Sequence, residues 1–131
     1  MISEADPAWV SHVRHVRGAL QPNQPLAPFT WFRVGGAAEL LFQPADEADL
    51  AAFLRALPKS VPLTIIGIGS NLLVRDGGIE GAVVRLGRGF GSIAAQGQQV
   101  TAGAIVPDAM VARAASNFLP ACRARLAAVC E

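Results

Sequence analysis

The stretch that decides the fold reads Leu63-Thr64-Ile65-Ile66-Gly67-Ile68-Gly69-Ser70-Asn71-Leu72-Leu73-Val74. Its first four residues are largely apolar and predict a short strand, and the glycine-rich residues that follow predict a turn. The two glycines let the backbone approach a ligand without a Cβ atom, and the exposed N–H groups of such a turn form a concave anion site. Ser70 and Asn71 add side-chain hydrogen bonds. The stretch therefore predicts a strand that leads into a loop able to hold phosphate.

This loop matches neither of the common nucleotide-binding patterns. The third glycine of the G-x-G-x-x-G fingerprint would fall at Leu72, and no Lys follows as in a P-loop. The same residues also describe a plain tight connection between two elements. Taken by itself, the loop leaves both interpretations open.

Composition limits the class of protein. The 131 residues fit one domain with one core. Lys and Arg number 11 against 10 Asp and Glu, so no net field attracts a polyanion, and we expect no nucleic-acid partner. Although 52% of the residues are hydrophobic, no run approaches the roughly 18 to 20 apolar residues of a membrane span. We expect a soluble chain without membrane insertion.

The N-terminus and the potential metal ligands point to the cytoplasm and to no metal site. Residues 1–7 are acidic and polar and lack the basic and apolar segments of a secretory signal, so we expect a cytoplasmic protein. Cys122 and Cys130 have no nearby His and fit no zinc spacing, which favours plain small apolar residues. His12 and His15 lie off the apolar stripe of their segment and are expected to be solvated.

Hydrophobic periodicity predicts alternating elements along the chain. They are a helix over 7–20, a Pro-rich loop over 21–28, a strand over 38–43, a helix over 46–57 with Asp46 as N-cap, a strand over 63–66, a turn over 76–78, a strand over 81–86, a hairpin of 92–95 with 99–102, and a helix over 107–117. The strand, helix and strand between 38 and 66 form a β-α-β unit, expected to make a right-handed crossover between two paired parallel strands. With the additional strands and flanking helices, this order predicts an α+β fold of α/β-like character.

Four blocks of residues resemble one known family. They are Thr30–Glu39, Gly67–Gly78, Gly81–Leu86 and Thr101–Ala104, in that order. They are similar to the N-terminal part of UDP-N-acetylenolpyruvoylglucosamine reductases, flavoenzymes also called UDP-N-acetylmuramate dehydrogenases. The resemblance covers roughly residues 8–117.

The resemblance implies an FAD-binding domain of the vanillyl-alcohol-oxidase type. Residues 1–28 would be an N-terminal helix and Pro-rich loop, residues 29–105 the first lobe, and residues 106–131 the start of a second lobe with an unmatched tail. The loop would wrap the FAD pyrophosphate, and residues near 30–36 would lie near the flavin. The implied cofactor-binding residues are Gly67, Ile68, Gly69, Ser70, Asn71, Leu72, Thr30, Arg33, Gly35 and Gly36. Without the resemblance, residues 30–36 describe a turn with a buried aromatic pair.

The resemblance also implies a two-step hydride transfer in the complete enzyme. NADPH reduces FAD, and the flavin passes hydride to the enolpyruvyl double bond of a UDP-sugar, which gives UDP-N-acetylmuramate for peptidoglycan synthesis and hence for cell shape and division. The family's proton-donating Ser and supporting Arg and Glu lie in segments beyond those matched here. We therefore assign no catalytic residue in this chain, expect it to be inactive alone, and expect the UDP-sugar to bind only in a complete enzyme.

Two departures from the family pattern shape the alternative hypothesis. Ala37 stands where the family usually has Pro, and residues 118–131 match nothing in the family. The tail suggests a truncated or frameshifted product, or a fragment. The alternative to a reductase by descent is a non-catalytic α/β module that binds a partner or itself through an exposed core.

Overall fold

The computed structural model describes residues 6–118, so the two cysteines and the tail from residue 119 onward lie outside the described residues. The helices and strands are β1 (Ala19–Pro25), β2 (Ala37–Gln43), α1 (Glu47–Ala56), β3 (Leu63–Ile66), β4 (Ile79–Arg85), β5 (Ile93–Gln96), β6 (Gln99–Ala102) and α2 (Asp108–Phe118). Short 3-10 turns lie at Ala8–Val13, Ala27–Phe29 and Arg88–Phe90. The mixture of sheet and helices confirms the predicted α+β class.

The main sheet has four strands in the order β1-β2-β4-β3. Strand β1 is antiparallel to β2, whereas β2 and β3 both run parallel to β4, which lies between them. The expectation that β2 and β3 pair directly was therefore wrong. The central position of β4 has a physical reason. Its residues 81–84 are all buried, and a run apolar on both faces is stable only where neighbouring strands and both layers cover it.

The helix predicted over 7–20 is the second correction. A 3-10 turn spans Ala8–Val13, and residues 19–25 form strand β1, so the segment predicted as a Pro-rich loop is largely an edge strand. Val10 and Val13 are buried as the apolar stripe requires, but a spacing of three residues suits a 3-10 turn as well as an α-helix. Pro22 is tolerated because an edge strand can spare an N–H group.

The other predicted elements are confirmed within a few residues. They are β2, α1, β3, β4, the β5–β6 hairpin and α2. Asp46 is the N-cap of α1, and its side chain accepts a hydrogen bond from the Asp49 N–H group at 2.9 Å. His12 and His15 are exposed, as expected. Within residues 6–118, no helix is both long enough and apolar enough to cross a membrane.

Each face of the main sheet carries its own apolar cluster. On one face, the turn at Ala8–Val13 and helix α1 cover β2 and β4, and the rings of Phe42 and Phe53 stack with their centres 4.2 Å apart. On the other face, Leu26 and Val74 cover Leu41 and Val83, with Ile66 at the end of β3. The second cluster therefore includes residues from the segments that follow β1 and β3.

Asp49 joins helix α1 to the start of the main sheet. Its carboxylate is buried and accepts hydrogen bonds from the N–H groups of Arg17 and Gly18, both at 2.8 Å, and of Ala45 at 3.0 Å. Burial by itself would raise the pKa of Asp49, but the three N–H donors and the nearby Arg17 charge outweigh it, so the pKa lies below its ordinary value. The Asp49 carboxylate therefore fixes the backbone at Arg17 and Gly18, within the segment that the sequence predicted to be helical.

Candidate functional site

The glycine loop lies where two parallel strands end. It follows the carboxyl end of β3, beside the carboxyl end of β4, which is the edge where open α/β sheets bind ligands. A first cleft of about 410 Å³ opens here, lined by residues 65–72 and 104–108. All six loop residues predicted from the sequence, 67–72, line this cleft.

Gly69 fixes the shape of the loop. Its φ is +70°, in the left-handed region, and a Cβ atom built on it would lie 2.1 Å from the Phe29 carbonyl oxygen. The Gly69 carbonyl in turn accepts a hydrogen bond from the Trp31 N–H group at 3.1 Å. Gly69 therefore lets the loop lie directly against the segment that contains Phe29 and Trp31.

The loop that lines the first cleft has backbone N–H groups without a backbone acceptor. Among residues 6–118, no backbone acceptor receives a hydrogen bond from the N–H groups of Ile68, Gly69, Ser70 or Asn71. Consecutive unpaired N–H groups in a turn form a nest that stabilises an anion. Both the unpaired N–H groups and the glycine content therefore make the loop suitable for a phosphate group.

Helix α2 faces the loop across the first cleft. Its first residue, Asp108, lines the cleft together with the four residues before it. The N-terminus of a helix favours an anion, but the Asp108 carboxylate disfavours one close to it. An anion in this cleft is therefore expected on the side of the loop.

A second cleft of about 380 Å³ lies on the other side of Ile68. Its lining residues are Pro28, Phe29, Thr30, Trp31, Arg33, Ile68 and Arg85. Ile68 lines both clefts, so they adjoin. The structure thus places Thr30 and Arg33, both predicted from the sequence, in a neighbouring cleft, on the segment that lies against the glycine loop.

The aromatic pair at 31 and 32 is not buried. Trp31 is 75% exposed and Phe32 is 59% exposed, so the interpretation of residues 30–36 as a turn with a buried aromatic pair was wrong. Arg33 has a φ of +51°, which is strained for a residue with a side chain. Exposed aromatic rings and backbone strain in one short turn are typical of a binding segment.

Gly35 and Gly36 line neither cleft. Gly36 donates a hydrogen bond to the Arg75 carbonyl at 2.9 Å, and a Cβ atom on Gly35 would lie 2.5 Å from the Val74 carbonyl oxygen. The two glycines therefore bring residues 30–36 against the segment that follows the phosphate loop. Their direct contact with a cofactor stays a prediction.

Sequence reasoning missed two parts of the site. The first is residues 104–108, which form the far wall of the first cleft. The second is Arg85, whose guanidinium lies over the Phe29 ring, 4.7 Å from its centre, in the second cleft. A cation at the end of an apolar strand, next to a glycine loop, was the available signal for Arg85. Among the described residues, no group of three or more His, Cys, Asp or Glu is arranged to hold a metal ion.

Comparison with known families yields one domain match. The model of an FAD binding domain matches residues 38–122. The matched residues include β2 from Ala38 onward, β3 to β6, the glycine loop and helix α2.

Comparison with characterised proteins yields relatives with one shared name. UDP-N-acetylenolpyruvoylglucosamine reductase of Azorhizobium caulinodans is 59% identical over 111 residues, which cover 85% of this chain and 36% of the relative. The proteins of the same name from Paracoccus denitrificans and Parvibaculum lavamentivorans are 64% identical over 101 residues and 56% identical over 117 residues. These matches cover 77% and 89% of this chain, and 33% and 38% of the relatives. The chain spans about a third of the length of the curated relatives it matches.

Proposed function

Because the chain belongs to the FAD binding domain family, we propose that it supplies the cofactor-binding part of a UDP-N-acetylenolpyruvoylglucosamine reductase. The observation that carries this proposal is the glycine loop, which lines the first cleft within the matched residues and whose N–H groups at 68–71 have no backbone acceptor among residues 6–118. The relatives described above, which align with 77% to 89% of this chain, carry that enzyme's name.

The loop suits the diphosphate of FAD. A diphosphate needs several closely spaced donors and small neighbouring side chains, and residues 67–71 supply both. We propose contacts from Gly67, Ile68, Gly69, Ser70, Asn71 and Leu72 to the diphosphate and the groups next to it. Thr30 and Arg33 would contact the cofactor or a molecule beside it from the adjoining cleft, and Gly35 and Gly36 would hold that segment in place.

The reaction would belong to the complete protein. Bound FAD would accept a hydride from NADPH and deliver it to the enolpyruvyl double bond of the UDP-sugar. Residues 29–105, which include β2 to β6, would form the first lobe of a vanillyl-alcohol-oxidase-type domain, and α2 would begin the second lobe. The part of the relatives that this chain does not span would supply the UDP-sugar site and the proton donor.

An FAD titration followed by flavin fluorescence tests the proposal. Gly67 is the position for a charge probe, because a Cβ atom there meets nothing within 4 Å and the residue lines the first cleft. The chain is expected to bind FAD saturably, and Gly67→Asp to bind it about tenfold more weakly than Gly67→Asn, since a carboxylate near two phosphates costs over 1 kcal/mol.

Gly67→Asn is the matched control, because it adds the same volume without the charge. Equal affinities of the Asp and Asn variants would place the diphosphate away from the loop. A folded wild-type chain that fails to bind FAD at all would refute the proposed function for this chain.

A second candidate function, self-association or partner binding, is favoured by the exposed apolar residues. Leu63 and Ile65 are 40% and 54% exposed on β3, which is the last strand of the described sheet. Leu73 is also exposed, on the segment after the loop. An uncovered edge strand with apolar side chains readily pairs with another chain or segment.

Light scattering over about a hundredfold range of protein concentration tests this candidate. The wild-type mass is expected to rise with concentration, and Leu63→Lys is expected to hold the chain at the monomer mass, because it places a charge on the edge strand. Gln98→Lys adds the same charge in the exposed β5–β6 turn and is the control. A monomer mass for all three proteins would remove self-association from consideration.

A further inference from the structure

The second cleft has a charge that the proposed diphosphate site does not explain. We propose that this cleft binds an oxyanion, a phosphate or a carboxylate, carried by a ligand other than FAD, with Arg85 as the anchoring residue. Arg85 and Arg33 both line it, and none of the described residues that line it is acidic.

The Arg85 side chain is held in place before any ligand binds. One face of its guanidinium lies on the Phe29 ring, and its Nη1 donates a hydrogen bond to the Gln43 Oε1 atom at 3.1 Å. The Gln43 amide is itself fixed, because its Nε2 donates to the Gln21 Oε1 atom at 3.0 Å. A planar donor group fixed in this way loses little conformational freedom when it binds an oxyanion.

The positive charge of Arg85 is not neutralised within the described part of the chain. The ion pair found among residues 6–118 joins Arg17 to Asp46, and neither Arg85 nor Arg33 takes part in one. The Arg85 Nε atom is enclosed and has no hydrogen-bond partner among these residues. A partly buried guanidinium without a counter-charge is costly, and an anion in the cleft would offset that cost.

Arg33 and Trp31 complete the cleft. The positive φ of Arg33 holds its backbone in a strained turn, which is closed by a hydrogen bond from the Arg33 N–H group to the Thr30 carbonyl at 3.3 Å. The exposed indole of Trp31 offers a flat apolar surface beside the two cations. These features suit an anionic group attached to a planar or apolar body.

The charges of FAD itself do not account for two further cations. In oxidised FAD the negative charge lies on the diphosphate, for which the loop offers unpaired N–H groups, whereas the ring systems are neutral in that oxidation state. This step rests on the proposed function, since it takes FAD to occupy the loop. A second ligand bearing an oxyanion is what remains to match Arg85 and Arg33.

Indole NMR signals provide the test. The chain has two tryptophans, and Trp31 lines the second cleft whereas Trp9 packs against the core, so the Trp31 N–H signal reports on the cleft. Titration with inorganic phosphate and, separately, with malonate distinguishes the two oxyanions. We expect saturable shifts of the Trp31 signal with at least one of them, in the FAD-free and in the FAD-saturated chain.

Arg85→Met is expected to weaken the anion response about tenfold or more while the affinity for FAD stays within about twofold. Arg33→Met, on an exposed side chain, tests the anion response alone where Arg85→Met destabilises the fold, because Arg33 is also proposed to contact the cofactor. Arg14→Met is the charge control away from both clefts. Gly67→Asp should show the opposite pattern, with weaker FAD binding and an unchanged anion response.

The absence of a Trp31 shift with either anion would overturn the inference. So would a shift that persists in both Arg variants, or a parallel loss of FAD binding and anion binding in Arg85→Met. A chain that binds no FAD but keeps the Arg-dependent anion response would refute the proposed function and leave the anion site in place.

Discussion

Replacing Gly69 by alanine should lower the free energy of unfolding by about 3 kcal/mol and remove FAD binding. The new Cβ atom would lie 2.1 Å from the Phe29 carbonyl oxygen, so the two segments would have to move apart. The separation would break the hydrogen bond from the Trp31 N–H group to the Gly69 carbonyl, worth about 1 kcal/mol. The positive φ adds about 1 kcal/mol for a residue with a side chain.

Urea unfolding followed by circular dichroism measures the first effect, and the FAD titration measures the second. Gly67→Ala is the matched control two residues away. A Cβ atom at Gly67 meets nothing within 4 Å, so its free energy of unfolding should stay within about 0.5 kcal/mol of wild type. If the two alanine variants proved equally stable, contact between the loop and the Phe29 segment would not depend on Gly69.

Replacing Asp49 by asparagine should also cost about 3 kcal/mol of stability. The carboxylate accepts hydrogen bonds from three backbone N–H groups, and an amide offers one acceptor oxygen and would turn its own N–H₂ toward the remaining donors. The variant would weaken the hydrogen bonds from Arg17 and Gly18, just before β1, and from Ala45, just before α1. Thermal and urea unfolding measure the loss.

The control is Asp46→Asn, at the N-cap of the same helix. Asparagine caps a helix nearly as well as aspartate, and the ion pair of Asp46 with Arg17 is exposed, so only a small loss is expected. Comparable losses at the two positions would contradict the special role of Asp49.

The stabilisation of the folded chain by Asp49 should decrease as the pH falls. Because its pKa in the folded chain lies below the ordinary value of 3.8, its contribution is present above that value and is lost as the pH falls through the lowered pKa. The difference in free energy of unfolding between wild type and Asp49→Asn should be constant near neutral pH and shrink below about pH 4. A difference that grew on acidification would mean that the folded chain favours the protonated form.

Local sequence patterns predicted most of the secondary structure. Strand β2, helix α1 and strand β3 each have a period, a cap or a Pro boundary within the segment itself, and those signals act over a few residues. The apolar stripe at Val10 and Val13 was also read correctly as buried. Its spacing does not distinguish a 3-10 turn from an α-helix, so the type of element was wrong.

The candidate site was predictable only where its residues are contiguous. The glycine loop at 67–72 could be identified because the strand, the glycines and the polar side chains follow one another in the chain. Arg85 and residues 104–108 reach the same clefts from other elements. The position of Arg85 at the end of an apolar strand is a weak local signal, and residues 104–108 have none.

The sequence by itself determined the order of most strands and helices, the position of the glycine loop and the resemblance that points to FAD. The tertiary structure alone decided that β4 separates β2 from β3, that residues 19–25 are a strand, and that Arg85 meets Arg33 beside the loop. The physical reason is the range of the interactions. Periodicity and turns depend on neighbouring residues, whereas strand pairing, buried hydrogen bonds such as those of Asp49, and uncompensated charge depend on segments far apart in the chain.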